Sequence, residues 1–253
     1  MLNVRVVKLG GNELDRPGWL ADCASAFPAA GPVVVVHGGG RAVSALSQRL
    51  GLPVERRDGR RVTSPEIAEV VEMVLAGPAN RAVVAALRAA GFDAIGLAGV
   101  DGGLLTAGPA GAGLGQVGDI TAVRASLLHS LLLAGLTPVV APVAPADGTG
   151  APLNVNADDA AAAIAGALRA QELLFVSDVP GVVVDGVPQA ALSTADIESL
   201  IELGVATDGM AAKLRAAAAA LSAGARAVRI GDLRLLGDPA AGTRILAAAP
   251  QPA

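Results

Sequence analysis

Short apolar runs rich in β-branched residues alternate along this chain with longer segments that have helical periodicity. Apolar runs of about four to eight residues are typical of buried strands, and apolar residues spaced three or four apart are typical of helices. We predict strands at 3–9, 32–37, 94–98, 137–141, 172–177 and 227–230. We predict helices at 19–27, 41–50, 64–75, 78–90, 122–134, 160–168, 195–203 and 207–223. This alternation predicts an α/β fold with a mostly parallel central sheet and helices on both of its faces.

Two segments depart from the alternation. Residues 54–62 are charged, and we predict a hairpin around Asp58-Gly59. Residues 99–118 are rich in glycine, and we predict loops and short hairpins there. The sequence contains no repeat of fixed period. We therefore expect one continuous fold with a boundary near residue 170, between an N-terminal lobe (1–170) and a C-terminal lobe (171–253).

Composition narrows the range of partners. The 253 residues carry a net charge of −4 without a basic patch, which argues against nucleic-acid binding. The one cysteine, Cys23, cannot form an internal disulfide and fits a reducing compartment. The longest apolar stretch, 131–146, is interrupted by one glycine and three prolines and is too short to span a bilayer. Because the N-terminus leads directly into a strand pattern, without a signal peptide, we predict a cytoplasmic protein with no nucleic-acid or membrane partner.

A polar hexapeptide at 154–159 precedes the alanine-rich helix predicted at 160–168. Its Asn and Asp residues favour a helix start, because their side-chain oxygens accept the free N–H groups of the first turn. Alone, the hexapeptide predicts no more than that start. However, Lys8 and Lys213 stand in glycine-rich surroundings at the two ends of the chain. A carboxylate between two ammonium groups is suited to handling a transferring phosphoryl group.

Two glycine motifs follow predicted strands. They are Lys8-Leu9-Gly10-Gly11 and His37-Gly38-Gly39-Gly40, and the second leads directly into a predicted helix. A strand, a glycine turn and a helix in this order expose backbone N–H groups to an anion at the helix N-terminus. Taken alone, the first motif fits a solvated lysine at a strand end equally well.

Other interpretations of the glycine-rich segments lack residues that they require. The oxyanion hole of lipases and esterases requires a Gly-x-Ser-x-Gly elbow, which this chain does not contain. The segment 113–118 matches a dinucleotide-binding fingerprint, but no good strand precedes it. The sequence contains no P-loop, and one cysteine with two distant histidines cannot form a zinc site.

Taken together, seven segments resemble the amino acid kinase family, and they occur in the order that the family shows. The segments are Val6-Val7-Lys8-Leu9-Gly10-Gly11, Val36-His37-Gly38-Gly39-Gly40, Gly59-Arg60-Arg61-Val62-Thr63, Asn154-Val155-Asn156-Ala157-Asp158, Ser177-Asp178-Val179-Pro180-Gly181, Thr207-Asp208-Gly209-Met210-Ala211-Ala212-Lys213 and Gly242-Thr243-Arg244-Ile245. The resemblance implies an open αβα sandwich. Its N-terminal lobe would bind an acyl amino acid and form the dimer contact, and its C-terminal lobe would bind ATP.

The resemblance also implies roles for individual residues. Lys8 and Lys213 would neutralise charge on the transferring phosphoryl group and on ADP, and Asp158 would hold both lysines. The residues implied in substrate binding are Gly39, Gly40, Arg61 and Asn154. The residues implied in binding phosphate and nucleotide are Gly10, Gly11, Ser177, Asp178, Val179, Pro180, Gly181, Val182, Val205, Ala206 and Thr207. Arg60 stands where the family often has leucine, so Arg61 is the better candidate for the substrate carboxylate.

The activity that the resemblance implies is ATP-dependent phosphorylation of the γ-carboxylate of N-acetyl-L-glutamate, a step of arginine biosynthesis. Mg²⁺ would be carried by the nucleotide phosphates and not by a protein cage. Hexameric relatives that are inhibited by arginine have an additional helix before the first strand. Because this chain shows no such helix, we expect a homodimer that arginine does not inhibit.

Three alternatives stay open at this point. A sister kinase of the same family could act on carrier-linked aminoadipate or on glutamate itself. A non-catalytic ligand sensor could use the same fold, although such a protein has little need of Lys8, Asp158 and Lys213 together. An esterase is the third alternative, and simple ester substrates would test it.

Overall fold

The computed structural model describes residues 2–11, 13–27, 31–57 and 59–248, so Asp58 of the predicted hairpin lies outside the described residues. The strands are β1 (Arg5–Leu9), β2 (Val33–His37), β3 (Arg56–Arg57), β4 (Arg60–Arg61), β5 (Ala94–Ala98), β6 (Leu105–Pro109), β7 (Val117–Val123), β8 (Thr137–Ala141), β9 (Val143–Pro145), β10 (Pro152–Val155), β11 (Glu172–Val176), β12 (Val183–Val184), β13 (Val187–Pro188), β14 (Ala191–Ser193), β15 (Val228–Gly231) and β16 (Thr243–Leu246). The α-helices are α1 (Trp19–Ala26), α2 (Gly40–Arg49), α3 (Pro65–Val74), α4 (Asn80–Ala89), α5 (Ala125–Leu133), α6 (Ala157–Ala167), α7 (Ile197–Glu202) and α8 (Asp208–Ser222).

The central sheet has eight strands within the described residues, in the spatial order β14-β16-β15-β11-β1-β2-β8-β5. Its neighbouring strands are parallel except for β15 and β16, which pair antiparallel. The prediction of a mostly parallel sheet is therefore confirmed. Strands β1 and β11, which come from the two sides of residue 170 in sequence, are direct neighbours in this sheet.

Both faces of the sheet are covered, because successive side chains of a strand point to opposite faces. On β2, Val34 and Val36 belong to one apolar cluster, and Val33 and Val35 belong to another. The first cluster includes residues of α5, α6 and α8, and the second includes residues of α1 and α4. This arrangement is the predicted αβα sandwich.

The prediction of hairpins in the glycine-rich segment was right in part, since β6 and β7 pair as an antiparallel hairpin. Residues 99–118 include β6 and the start of β7, which belong with β9 and β10 to a separate four-stranded sheet. Leu105, Ala107 and Val117 are buried in these strands, although the glycines and alanines around them weaken the strand pattern. Since β7 extends to Val123, helix α5 begins at Ala125, three residues later than predicted.

A single π-helical turn, Leu75–Ala79, joins α3 to α4. The backbone of Gly77 is not helical there, and Pro78 has no N–H to donate. By length and composition alone, the segment Pro65–Ala89 could cross a membrane, and 39% of its apolar window is buried inside the protein. Core helices of soluble proteins pass the same test, so this property is weak evidence of a membrane span.

The fold brings the glycine motifs together at one edge of the sheet. Strands β1, β2 and β11 are adjacent and parallel, so Leu9, His37 and Val176 end at the same edge. Ligands of open parallel sheets bind at this carboxyl edge. The side chains and backbone groups that follow these three strands are therefore the place where a ligand site is expected.

Candidate active site

Two lysines and one aspartate meet at the carboxyl edge of the sheet. Lys8 Nζ lies 2.8 Å from Asp158 Oδ1, and Lys213 Nζ lies 3.9 Å from Asp158 Oδ2. The side chains of Lys8, Asp158 and Lys213 are 6%, 8% and 15% exposed. Their elements β1, α6 and α8 are far apart in sequence, and the fold brings their charged groups to one point, as the sequence predicted.

The geometry around Asp158 leaves it with ion pairs and few hydrogen bonds. The Lys8 contact is close but not directed as a hydrogen bond, so Asp158 Oδ1 has no hydrogen-bond donor among the described residues. Burial lowers the pKa of Lys213, the carboxylate of Asp158 opposes this shift, and the charge of Lys8 adds to it. Two cations thus share one anion in a poorly solvated place, which favours the approach of a further anion.

The two glycine motifs touch each other through their backbones. A side-chain carbon on Gly11 would lie 2.4 Å from the amide nitrogen of Gly39, and one on Gly38 would lie 3.0 Å from the Gly11 Cα atom. Only glycine allows this approach at either position. Within the described ranges, the N–H groups of Gly11 and Gly39 donate to no acceptor. They are therefore available to an anionic ligand.

Two cavities adjoin this glycine contact and share part of their lining. The larger cavity has a volume of about 480 Å³ and is lined by Lys8, Gly10, Gly11, Glu13, Gly38, Gly39, Gly40, Arg56, Gly59, Ser177, Asp178, Gly209 and Lys213. The smaller cavity has a volume of about 130 Å³ and is lined by Gly38, Gly39, Gly40, Val43, Arg56, Gly59, Arg60, Arg61, Val71, Leu75, Val117, Pro142, Asn154, Val155, Asn156 and Ala157.

Three helices begin at these cavities. Gly40 of α2 lines both of them, Ala157 of α6 lines the smaller one, and Gly209 of α8 lines the larger one. The Asn156 side chain accepts a hydrogen bond of 2.8 Å from the Asp158 N–H, so the predicted helix start at the hexapeptide is confirmed. Helix N-termini carry a partial positive charge, which again favours anions.

Arg61 is buried in the wall of the smaller cavity. Its Nη2 atom donates to the Gly40 carbonyl at 2.8 Å and to Ser44 Oγ at 2.7 Å. Its Nη1 atom is buried without an acceptor, and no carboxylate pairs with Arg61 among the described residues. Burial, with a smaller contribution from the charge of Arg56, lowers the pKa of Arg61 to about 10. An unpaired buried guanidinium is a ready partner for a carboxylate ligand.

Arg60 has different contacts, although it lines the same cavity. Its guanidinium pairs with Asp119 at 2.6 Å and with Asp159 at 3.1 Å. Burial raises the pKa of Asp159 to about 6, and Arg60 opposes this shift. Arg60 thus connects the β3–β4 hairpin to α6, whereas Arg61 pairs with no carboxylate among the described residues.

Asn154 also lies in the smaller cavity, as the predicted substrate set requires. Its Nδ2 atom donates to Thr63 Oγ1 at 3.1 Å, which fixes the amide orientation. An amide nitrogen has two hydrogens, so a second one is left for a ligand. The structure therefore brings Gly39, Gly40, Arg61 and Asn154 together.

The predicted nucleotide residues divide into two groups. Gly10, Gly11, Ser177 and Asp178 line the larger cavity. The other members do not line either cavity, and they are Val179, Pro180, Gly181, Val182, Val205, Ala206 and Thr207.

Some members of the second group use their backbone groups inside the fold. Val182 donates its N–H to Thr243 Oγ1 at 2.8 Å and accepts from the Gln189 N–H. The N–H groups of Val205 and Ala206 both donate to the Leu200 carbonyl. Contacts of these three residues with a nucleotide would have to use their remaining groups.

Sequence reasoning gave no binding role to several lining residues, among them Arg56, Gly59 and Glu13. Arg56 and Gly59 line both cavities. Arg56 was assigned only to a charged hairpin, and Gly59 was part of a family segment but was given no role in binding. Glu13 is buried beside Gly10 in the larger cavity. An acidic residue two positions after the paired glycines was the available signal for Glu13.

This site and fold are those of a small-molecule kinase. A sequence model of the amino acid kinase family matches residues 3–232, and the chain belongs to that family. It is similar to the acetylglutamate kinase of Chloroflexus aurantiacus, with 48% identity over 248 residues that cover 96% of this chain and 97% of that protein.

Solved structures give the same result for the fold. The structure of smu.665 from Streptococcus mutans UA159 has a TM-score of 0.84 and 27% identity, and the match covers 97% of this chain and 99% of that one. Carbamate kinase from Giardia lamblia bound to AMP-PNP has a TM-score of 0.74 and covers 98% of this chain and 99% of its own. Its identity is 16%, so this likeness concerns the fold alone.

The lining of the larger cavity fits a nucleoside triphosphate. It combines two ammonium groups, a helix start and the free N–H group of Gly11 in a cradle that a side chain on Gly11 would fill. Among the described residues, no group of three or more His, Cys, Asp and Glu side chains could hold a metal ion. The same lining also includes Arg56 and the carboxylates of Glu13 and Asp178.

Proposed function

We propose that this protein transfers the γ-phosphoryl group of ATP to the γ-carboxylate of N-acetyl-L-glutamate. The product would be N-acetyl-L-glutamyl 5-phosphate, and the reaction is a step of arginine biosynthesis. Membership of the amino acid kinase family supports phosphoryl transfer from ATP. Identity of 48% over nearly the whole Chloroflexus acetylglutamate kinase supports the acceptor.

One observation carries the proposal: two cationic sites lie side by side at a shared wall of glycines. In the larger cavity Lys8 and Lys213 share Asp158, and in the smaller one the Arg61 guanidinium has no carboxylate partner among the described residues. Two anionic substrates that must meet need such an arrangement, because their repulsion opposes the encounter. A neutral or cationic substrate would gain nothing from it.

In the mechanism that we propose, Lys8 and Lys213 neutralise the charge that spreads over the transferring group. Asp158 holds both ammonium groups, and the N–H groups of Gly11 and Gly39 donate to the phosphoryl oxygens. Positioning and electrostatic stabilisation supply most of the catalysis in phosphoryl transfer. The accepting carboxylate is already ionised at neutral pH, so the reaction needs no general base.

We assign binding of the acyl amino acid to the smaller cavity. Arg61 would bind the α-carboxylate, and Asn154 would donate its second amide hydrogen to the same end of the substrate. Gly39 and Gly40 would line the acyl amino acid. Arg61 already holds the Gly40 carbonyl through Nη2, so the guanidinium is fixed before the substrate arrives.

Nucleotide binding is assigned to the larger cavity. Gly10, Gly11, Ser177 and Asp178 would contact the phosphates, and the segments 179–182 and 205–207 would contact the rest of the nucleotide. Mg²⁺ would be carried by the phosphates, where it adds screening of their charge. We further propose that residues 1–170 and 171–253 act as two lobes whose closure excludes water.

We propose a cytoplasmic homodimer as the working form. Sedimentation of the purified protein tests this part of the proposal, and a monomer at working concentration would contradict it.

The activity can be tested by measuring ADP release in the presence of N-acetyl-L-glutamate, L-glutamate, L-aminoadipate or no acceptor. Hydroxylamine added to the same reactions would trap an acyl phosphate as a hydroxamate. We expect ADP and hydroxamate in equal amounts with N-acetyl-L-glutamate and little ADP otherwise. Faster turnover of another carboxylate would indicate a sister kinase, and binding without turnover would indicate a sensor.

A further inference from the structure

His37 connects the glycine loop to the helix behind it. Its Nδ1 atom lies 2.8 Å from the carbonyl oxygen of Gly38, and its Nε2 atom lies 3.1 Å from Asn80 Nδ2. His37 and Asn80 are both completely buried. Neither residue touches a cavity, so neither one can contact a substrate directly.

The other contacts of Asn80 determine where the hydrogens are. Asn80 Nδ2 lies 2.9 Å from the Val139 carbonyl, which can only accept, and Asn80 Oδ1 lies 3.1 Å from Arg81 Nη2, which can only donate. The amide therefore donates from Nδ2 to His37 Nε2. An acceptor at Nε2 leaves the ring hydrogen on Nδ1, where it is donated to the Gly38 carbonyl.

The imidazole ring of His37 is neutral at neutral pH and carries a hydrogen on one of its two nitrogens. Burial lowers the pKa of His37 to about 4, the hydrogen bond to Gly38 opposes this shift, and the nearby charge of Lys8 adds to it. A doubly protonated ring would place an N–H group against Asn80 Nδ2, where no lone pair is available. The neutral form with hydrogen on Nδ1 is the one that satisfies every partner.

Fixing the Gly38 carbonyl also fixes the next amide. In a trans peptide the carbonyl and the following N–H point in opposite directions. Because the Gly38 carbonyl faces the His37 ring, the Gly39 N–H faces away from the ring. Gly39 meets Gly11 there, lines both cavities and has no acceptor of its own within the described ranges.

We propose that His37 and Asn80 are positioning residues that hold the Gly38–Gly39 peptide so that the Gly39 N–H donates to the transferring phosphoryl group. This inference rests on the proposed function and names how one of its donors is kept in place. Glycine has the freest backbone of all residues, so a glycine loop needs such a clamp to present a donor in one direction. Preorganised N–H donors are effective because they need no reorientation during the reaction.

The π-helical turn before Asn80 has a place in the same arrangement. Asn80 follows directly after its last residue, Ala79, and begins α4. Leu75, at the start of this turn, also packs against Gly39, since a side-chain carbon on Gly39 would lie 2.5 Å from Leu75 Cδ2. Leu75 at the start of the turn thus contacts Gly39, and Asn80 directly after its end contacts His37.

The first test is the tautomer of His37 in the unaltered protein, measured by ¹⁵N NMR of the imidazole nitrogens. The sequence contains only His37 and His129, so His129→Gln assigns the signals. We expect a neutral ring with hydrogen on Nδ1 from about pH 5.5 to pH 8. Hydrogen on Nε2 would overturn the inference without affecting the proposed function. Absence of ADP release together with hydrogen on Nδ1 would instead contradict the proposed function, and would leave only the contact between His37 and Gly38.

The second test compares His37→Asn with His37→Gln. The asparagine amide can occupy the Nδ1 position and keep the donor to Gly38, whereas the glutamine amide reaches the Nε2 position only. We expect kcat to fall about 10²-fold in the glutamine variant, with little change in KM for N-acetyl-L-glutamate, and to recover at least tenfold in the asparagine variant. Equal kcat values for the two folded variants would overturn the inference.

A third variant decides the question if the glutamine variant does not fold. In Asn80→Asp the carboxylate accepts from Nε2, so the neutral ring loses its Nδ1 hydrogen and only the charged ring can hold Gly38. The kcat of this variant should rise as pH falls through the pKa of His37, whereas the kcat of the unaltered protein should not. A pH profile identical to that of the unaltered protein would contradict the inference.

Discussion

Replacing Asp158 with asparagine removes the carboxylate that two ammonium groups share while keeping the size of the side chain. The carboxylate lies 2.8 Å from Lys8 Nζ and 3.9 Å from Lys213 Nζ. Unit charges about 4 Å apart interact by about 4 kcal/mol when the effective dielectric constant is near 20. If about 3 kcal/mol of this energy acts in the transition state, kcat falls about 10²-fold.

The pH dependence of this variant has a definite sign. Burial already lowers the pKa of Lys213, and the Asp158 carboxylate opposes that shift. Without the carboxylate the pKa falls further, so Lys213 becomes neutral at a lower pH. The alkaline decline of kcat/KM for ATP, which reports on the free enzyme, should therefore begin at a lower pH than in the unaltered protein.

Asp159→Asn is the matched control, because Asp159 is the next residue of the same helix and pairs with Arg60 instead of the lysines. Its kcat should stay within about threefold of the unaltered value, and the alkaline decline of its kcat/KM for ATP should begin at the same pH as in the unaltered protein. Both variants should be compared at equal folded fraction, measured by urea unfolding, since breaking a buried ion pair can cost about 3–5 kcal/mol. Equal losses of kcat in the two variants, with no shift of the alkaline limb, would refute the reasoning.

Three further predictions concern the other parts of the site. Lys213→Ala should lower kcat at least 10²-fold in an ADP-release assay, whereas Arg215→Ala on the same helix should not; equal rates for the two would contradict the role of Lys213. Arg61→Ala should raise KM for N-acetyl-L-glutamate at least tenfold more than KM for ATP, and the reverse pattern would remove its substrate role. Gly11→Ala should lower kcat strongly and reduce the unfolding temperature, because the new methyl group would lie 2.4 Å from a backbone nitrogen. Gly111→Ala, where nothing lies within 4 Å, should change neither quantity, and a similar loss there would show that the Gly11 effect is not steric.

Much of the central sandwich could be predicted because its elements have strong local patterns. The four consecutive valines of β2 end at His37 and a glycine run, so both the strand and its end are visible in the sequence. Ser64 and Pro65 likewise mark the start of α3, where the Ser64 side chain caps the Ile67 N–H. Strong local patterns of this kind agree with the final packing.

Elements with weak patterns were predicted only in part, or not at all, for physical reasons. Strand β6 is short and ends in glycine and proline, and β7 is interrupted by Gly118 and Asp119. These strands pair with each other, and β7 also pairs with β10. The π-helical turn between α3 and α4 was also not predicted, although Pro78 and Gly77 mark an interruption. In both cases tertiary contacts decide the conformation.

The candidate site also has some features that could be predicted from the sequence and others that could not. The convergence of Lys8, Asp158 and Lys213 follows from family resemblance, since nothing in their spacing indicates that they meet. The contact of Gly11 with Gly39 and the unpaired Nη1 of Arg61 are visible only in three dimensions. The role of His37 was also out of reach, because a histidine at a strand end gives no sign of the carbonyl that it holds.

A crystal structure of the protein with ADP, Mg²⁺, aluminium fluoride and N-acetyl-L-glutamate tests the central claim most directly. Planar aluminium fluoride mimics the transferring phosphoryl group. We predict that it lies within hydrogen-bonding distance of Lys8 Nζ, Lys213 Nζ and the N–H groups of Gly11 and Gly39, with the substrate γ-carboxylate in line on one side. A fluoride bound away from both lysines, or a substrate carboxylate that does not face it, would contradict the account.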